Sequence, residues 1–583
     1  MPTTKTETTV RTQVIQPFLA DCPAEQNIPI RTPFSQLGKP PETISPFERY
    51  GGLAFAVALS GFVFILLVPF APLIIVLTVA RRIWSYFACS SYHTHPSKLK
   101  IAVIGGGWSG VQIISRLQEL GVTNITGFEK NDDLGGTWHP TLRYHSVQIH
   151  GAMWITSFDK YPYSPNNKDV SDGKVLGAEA LAYVKRFADH TGVGPCYQFN
   201  NSVVSVKYDS SRRKATLVTE DASGNRSEKG PYDFVVYASQ ASEPNIPSIP
   251  GQEHFKGKIL HSLWFKTTQF EEIIKSKAKV VIIGGSKTAC DMVLCFQRAG
   301  YEAFNWVFRK PYIYWKYEFM FHDSSPINAL RGMTTLVAIT ISIFSTKLMG
   351  LILWCSGLGV TDGKRHMDWN KFHWGILCPK QRRDLAMIPQ QKRYQSGIKC
   401  LHSNSIELQN GQKIQADYIL LGTGCHSGLE KLEFEKDGAS YSLNAEKQLL
   451  HHFLVPTFPV FGNSTALWTT FGPKRAVNSA DMIIYHLCVR KTLTEQQMVT
   501  MASWQLGDCA ANVDPLFQKE NTVKRFVIRH INLMLSGLVD VFDFLWHAVE
   551  LFCLARQTTL RFDILPTNAC NAGTDKYDIK KVN

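Results

Sequence analysis

The sequence predicts an α/β fold of two interleaved Rossmann-like dinucleotide-binding domains behind an N-terminal transmembrane helix. Three observations carry that expectation. Two glycine-rich turns each follow a run of buried-strand residues, and one long uncharged apolar stretch lies near the N-terminus.

The first turn is Gly105-Gly106-Gly107-Trp108-Ser109-Gly110, entered from the apolar run Ile101 to Ile104. Val111, Ile114 and Leu117 follow at helical spacing, so the order strand, turn, helix is right for a pyrophosphate at a helix N-terminus. The next strand pattern ends in Glu129, 24 residues past Gly105. A carboxylate there can accept hydrogen bonds from both ribose hydroxyls of an adenosine.

The second turn is Gly284-Gly285-Ser286-Lys287-Thr288-Ala289, entered from Val280 to Ile283. It departs from the glycine pattern, because Ser286 puts a side chain where backbone usually approaches phosphate. Its following strand ends in Arg309-Lys310, and cations at that place suit a 2′-phosphate, which favours NADPH over NADH. A protein holding two dinucleotides can pass electrons between them. The first inference is therefore a flavin fed by a nicotinamide.

Between the turns stand Phe255, Gly257, His261 and Phe265 in the frame FxGxxxHxxxF, and Gly135-Gly136-Thr137-Trp138 follow the first turn. The segments Asp233 to Gly251 and Asp417 to Cys425 read as strands ending in small residues. Together these closely resemble the flavin-containing monooxygenases and their Baeyer-Villiger relatives from about Ile101 to Leu487, and the two segments look like that family's crossings between nucleotide domains. Phe265 matches the N- and S-oxygenating branch, while Trp264 sits one place before the position where the Baeyer-Villiger branch prefers Trp. The branch stays open.

The resemblance implies a cycle in which NADPH reduces FAD and the reduced flavin takes up dioxygen. Bound NADP+ then shields the oxygenated flavin until substrate arrives. It implies that Gly105, Gly107, Gly110, Glu129, Gly136, Thr137 and Trp138 hold FAD. Gly284, Ser286, Thr288, Arg309 and Lys310 would hold NADPH. The candidate catalytic residues are His150 and His261. His261 is expected to organise the linker and the nicotinamide more than to carry protons. His150 stands where the N- and S-oxygenating members carry a catalytic Asn, and an imidazole there either packs on the flavin or takes an altered role. The implied substrate is small and lipophilic, with O2 as co-substrate, in a setting such as microbial secondary metabolism, including polyketide tailoring.

Formal net charge is +14, yet no compact Lys/Arg run or zinc-ligand spacing points to nucleic acid. Anionic cofactors and lipid surfaces are the simpler partners, no resident metal is expected, and oligomeric state stays open. None of the 13 cysteines forms CxxC, which argues against a disulfide reductase. Cys290 and Cys295 share a helix at an offset that points them apart.

Gly51 to Ala80 contains no charged residue, ample for a bilayer span. Arg49 precedes it, and Arg81, Arg82, Lys98 and Lys100 follow, favouring a cytoplasmic C-terminal side. Pro69 and Pro72 leave a re-entrant hairpin as the alternative. The expected layout is a mobile tail at 1–45, an anchor at 51–80, and an FAD domain at 97–265 and 400–510. An NADPH domain at 270–400 would carry an apolar insertion at 318–375, and a helical extension would occupy 511–583. Within the insertion, Gly332 to Val360 reads either as a membrane-dipping lid or as packed core helices.

Overall fold

A computed structural model describes residues 58, 93–149, 157–158, 161, 170–171, 174–240, 243–309, 314–316, 359–360, 375–377, 381, 384–385, 387–443, 449–450, 453–465, 472–489 and 492–503. Each glycine turn sits in a five-stranded parallel sheet. In the first sheet the order is Phe461–Asn463, Phe234–Tyr237, β1 (Lys100–Ile104), β2 (Asn124–Phe128) and Tyr197–Gln198. Helix α1 (Trp108–Glu119) connects β1 to β2. Its buried Val111, Ile114 and Leu117 meet Ala476, Ala480 and Ile483 of the helix Gly472–Ile484 in one apolar cluster. Arg116 crosses to Asp481 at 2.7 Å inside that contact, so the buried guanidinium is neutralised where it is desolvated.

The second sheet repeats the plan over four strands and takes its fifth, an edge strand, from before its glycine turn. Its order is Lys258–His261, Tyr418–Leu421, β3 (Val280–Ile283), β4 (Phe304–Phe308) and Arg393–Gln395, again all parallel. Helix α2 (Lys287–Arg298) joins β3 to β4. Cys290 and Cys295 are both buried free thiols on α2, as their offset implies. A mainly antiparallel sheet of five strands, Asn201–Asp209 at its centre, packs over the first parallel sheet through Val206, Leu217 and Phe434.

The interleaving is visible in the strand pairing. The chain leaves the first sheet after Tyr237, and Glu243–Pro244 then pairs antiparallel with Cys425–His426 on the return path. That two-stranded ribbon is the crossing. It corrects the expected boundaries, because Lys258–His261 and the segment 400–421 were assigned to the first domain. Lys258–His261 instead lies parallel to Tyr418–Leu421, which lies parallel to β3, so both complete the second sheet. Sequence alone misplaces the border because strand membership here is set by pairing across long separations, and neither KILH nor YILL names its partner.

The expected anchor at 51–80 falls outside the described residues apart from helical Ala58, as do the tail, the extension 511–583 and most of the insertion. Among the described residues no helix is long and apolar enough to cross a membrane.

Candidate nucleotide cradles

The first cradle is set by backbone approach. Gly105 has φ +110° and lies against Ala238, where a Cβ would stand 3.3 Å from the Ala238 carbonyl carbon and the Ser239 nitrogen. At Gly110 a Cβ would come within 1.9 Å of the Gly105 carbonyl oxygen, so only glycine lets α1 start this close to β1. Gly136 packs so that a Cβ would fall 2.7 Å from the Gly107 Cα, bringing the Gly136–Trp138 turn against the phosphate loop. No side chain caps α1 at its N-cap, Gly107. The end of the helix is thus left to an anion.

Gly105, Gly107, Glu129, Gly136, Thr137 and Trp138 line one cleft of about 300 Å³, with Gly110 behind it. Glu129 is buried there. Its Oε2 accepts from the Gly106 amide at 2.6 Å, and its Oε1 accepts from the Asn131 backbone and side-chain nitrogens at 3.0 and 2.7 Å. An ionised carboxylate has about four acceptor sites. Three are used within the chain, leaving room for one ribose hydroxyl, where the sequence alone allows two. Asn131 is therefore part of the site, and no spacing rule announces it.

Trp108 was also missed. Its ring lines the cleft and stacks on Phe158 at 4.7 Å, while its indole Nε1 is buried with no hydrogen-bond partner among the described residues. A buried indole N–H without an acceptor is costly. The acceptor-rich dinucleotide that this cradle fits would supply one, so the residues present suit FAD.

The second cradle is built alike with a smaller margin. Gly284 has φ +132°, and a Cβ there would lie 2.4 Å from the Gly422 carbonyl oxygen. Gly422 thus plays against Gly284 the part that Ala238 plays against Gly105. The two small-residue crossings are close-approach sites for the first glycine of each turn. Ser286 is the N-cap of α2, yet no side-chain hydrogen bond caps it, and its hydroxyl donates instead to Gly422 at 3.4 Å. Trp306 Nε1 donates to the Gly284 carbonyl at 2.7 Å and so braces the turn from β4.

Thr288 lies in the first turn of α2 and is half-buried. Arg309 follows β4 and is exposed; Lys310 lies outside the described residues, as does His150. A buried network lies beneath this cradle. Lys287 pairs with Asp291, one helical turn on, and Tyr144 donates to the same carboxylate oxygen at 2.7 Å. Burial and Asp291 hold the Tyr144 phenol well above its usual range. The i,i+4 pair was legible on the helix, but its phenolic partner, 147 residues away, was not.

His261 is buried and its two ring nitrogens are both engaged. Nδ1 accepts from the Leu263 amide at 3.3 Å, and Nε2 donates to the Gly424 carbonyl at 2.9 Å. Burial lowers its pKa, keeping the ring neutral. It ties Lys258–His261 to the crossing at Gly424 and does not line the first cleft. Phe265 of the same frame is fully buried against Phe270 and Phe296.

Residues 98–306 match the family model described as flavin-binding monooxygenase-like. A FAD-dependent monooxygenase of Pyrenophora dematioidea is 26% identical over 216 residues, covering 36% of this chain and 39% of that protein. The senecionine N-oxygenase of Tyria jacobaeae is 28% identical over 213 residues, covering 34% of this chain and 44% of its own. The chain therefore spans less than half the length of these two curated relatives. Among solved structures, the polycyclic ketone monooxygenase from Thermothelomyces thermophila shares the fold, with TM-score 0.50 and 14% identity over 67% of this chain and 75% of that chain. The shared four-strand order, the two glycine cradles and the match over residues 98–306 make this chain similar to the flavin-binding monooxygenase-like family over that stretch.

Proposed function

We propose that the chain is an FAD-dependent, NADPH-consuming monooxygenase that transfers one oxygen atom of O2 to a small lipophilic molecule. The observation that carries this reading is the repeated cradle: two five-stranded parallel sheets that share one four-strand order and differ in the edge strand, each pressing the first glycine of its turn against a small residue of a crossing. The flavin supplies the redox and oxygen chemistry when bound. The protein supplies position. Glu129 and Asn131 hold the adenosine end, the uncapped start of α1 faces the pyrophosphate, and Trp108 donates its indole proton to the cofactor. Arg309 and Lys310 select the 2′-phosphate of NADPH. His261 keeps the crossing in place without exchanging protons, and His150 acts beside the flavin.

The remaining assignments are part of the same proposal. Residues 51–80 anchor the chain in a membrane with the catalytic domains on the cytoplasmic side, and 1–45 and 511–583 flank them as tail and helical extension. The apolar insertion at 318–375 admits substrate, and the setting is secondary-metabolite biosynthesis.

The test is a balance. Purified FAD-loaded protein is incubated with NADPH, 18O2 and an extract of a strain lacking the chain. A product heavier by one labelled oxygen atom per NADPH consumed supports the proposal. Stoichiometric hydrogen peroxide with no labelled product makes the chain a reductase instead. Release of the chain from membranes by alkaline carbonate would remove the anchor from the reading.

A further inference from the structure

The second domain carries a short antiparallel meander, Ile398–His402, Ser405–Leu408 and Lys413–Gln415, outside both cradles. One face of its first hairpin is core, since Leu401, Ile406 and Leu408 are buried in an apolar cluster. The other face collects three side chains of a different kind. Cys400 and His402 stand two residues apart on one strand, and Glu407 is paired opposite Cys400 on the next. A register shift just before Cys400 sets that pairing. Sγ of Cys400 lies 3.7 Å from Nε2 of His402 and 3.9 Å from Oε2 of Glu407, while Nε2 and Oε2 are 2.8 Å apart.

We propose that Cys400, His402 and Glu407 form a site for a thiophilic divalent cation of the zinc class. Thiolate, imidazole and carboxylate are the donors that such an ion takes together. The spacing fits as well as the chemistry. A tetrahedral ion with bonds of roughly 2.3 Å to sulfur and about 2.0 Å to nitrogen and oxygen sets donors roughly 3.6 Å apart across sulfur edges and about 3.3 Å apart on the third edge. The three observed separations require adjustments of about 0.5 Å or less, which side-chain rotation supplies without moving the backbone. The hairpin is held from behind by its buried face, so the donors are already on a fixed support.

Neighbouring charges act in both directions. Lys399 bonds Oε1 of Glu407 at 2.7 Å, which turns Oε2 toward the thiol and the imidazole, as outer partners of metal-binding carboxylates do. Lys413, 3.8 Å from Oε2, competes with a cation for that oxygen. Binding releases the thiol proton, moves the His402 ring proton to Nδ1, and leaves a fourth position for water. The bound ion would clip the two strands on which the linker rests, because Leu401 donates to the Pro250 carbonyl at 2.8 Å and Lys256 donates to that of Ser403 at 2.9 Å.

The experiment is a Co2+ titration of the full-length reduced protein, followed by the near-ultraviolet thiolate-to-cobalt absorption, with Zn2+ as competitor. One equivalent is expected to produce the band and Zn2+ to abolish it. Cys400→Ser should remove the band, His402→Ala should weaken binding at least about tenfold, and Lys413→Ala should strengthen it. Circular dichroism matching the parent shows that each variant is folded. A parent protein without the band, or a band that survives Cys400→Ser at parental affinity, overturns the proposal, and neither result touches the oxygenase reading.

Discussion

Tyr144, from the chain that leaves the flavin-side loop, donates its hydroxyl to Asp291 on the helix behind the nicotinamide-side cradle at 2.7 Å. The same carboxylate neutralises Lys287, with the pair almost wholly buried. One oxygen therefore links the two nucleotide units. Breaking a buried pair costs more than forming it gains, because the charge left behind has no partner. Asp291→Asn is expected to lower unfolding stability by about 3–5 kcal/mol. Tyr144→Phe should cost about 1–3 kcal/mol. Urea denaturation of both variants checks this, and a Tyr144→Phe protein as stable as the parent would remove the phenol from the network.

Two glycines separate cofactor geometry from ordinary backbone cost. At Gly110 a Cβ would meet the Gly105 carbonyl oxygen, whereas at Gly192, with φ +70°, nothing lies within 4 Å. Gly110→Ala should give a protein that purifies without bound flavin. Gly192→Ala should retain its yellow colour and lose only about 1 kcal/mol of stability, the cost of a left-handed alanine. Flavin-to-protein absorbance ratios decide between the two outcomes.

Trp108 offers a test aimed at one atom. Trp108→Phe keeps a ring against Phe158 and removes the unpartnered Nε1 donor. If that donor reaches FAD, its loss should weaken FAD binding about tenfold, equivalent to about 1.4 kcal/mol. Equilibrium titration of the apoprotein by flavin fluorescence measures it. Unchanged affinity would leave the buried indole without a function.

His145 predicts a pH dependence. The ring stacks on Phe270 at 4.7 Å, and burial lowers its pKa to about 4. The unfolded chain has the ordinary value near about 6.5, so between those two pH values it binds a proton that the folded chain refuses. Stability from this residue is complete above pH ~6.5 and falls as pH drops toward about 4, by about 3 kcal/mol at most. His145→Phe should flatten that part of the curve. An identical acid limb in the variant, measured by thermal unfolding, would assign the loss to other groups.

Arg309 bears on coenzyme choice. It is exposed immediately past β4, where a ribose phosphate would lie. Arg309→Ala is expected to raise KM for NADPH about tenfold and to change KM for NADH less than about twofold. Steady-state kinetics with both coenzymes checks it; equal effects on the two would mean that the guanidinium does not read the phosphate.

Much of this architecture was legible because it depends on near neighbours in the chain. A glycine required by a tight turn, apolar residues at helical spacing behind it, and a carboxylate at the end of the next strand leave their mark within about 30 residues of sequence. So Gly105, Gly110, Glu129 and Gly284 stand where the pattern put them, as does the frame ending in Phe265. The border between the domains was not legible. Nothing within Lys258–His261 or Tyr418–Leu421 marks its sheet, and membership follows from which distant strand each meets.

By itself the sequence determined that this chain has two cradles, which residues form each turn, and which one favours an acidic contact at its ribose end. Only the tertiary structure decided that His261 spends its ring on Gly424 and Leu263, that Tyr144 reaches Asp291, and that Cys400, His402 and Glu407 share one face. The difference is physical. Turn geometry and helix periodicity are properties of short segments, whereas the His261–Gly424 and Tyr144–Asp291 bonds, 163 and 147 positions apart, exist only once burial has brought their backbones together. The face of the Cys400 hairpin is set by the core it packs on and a register shift.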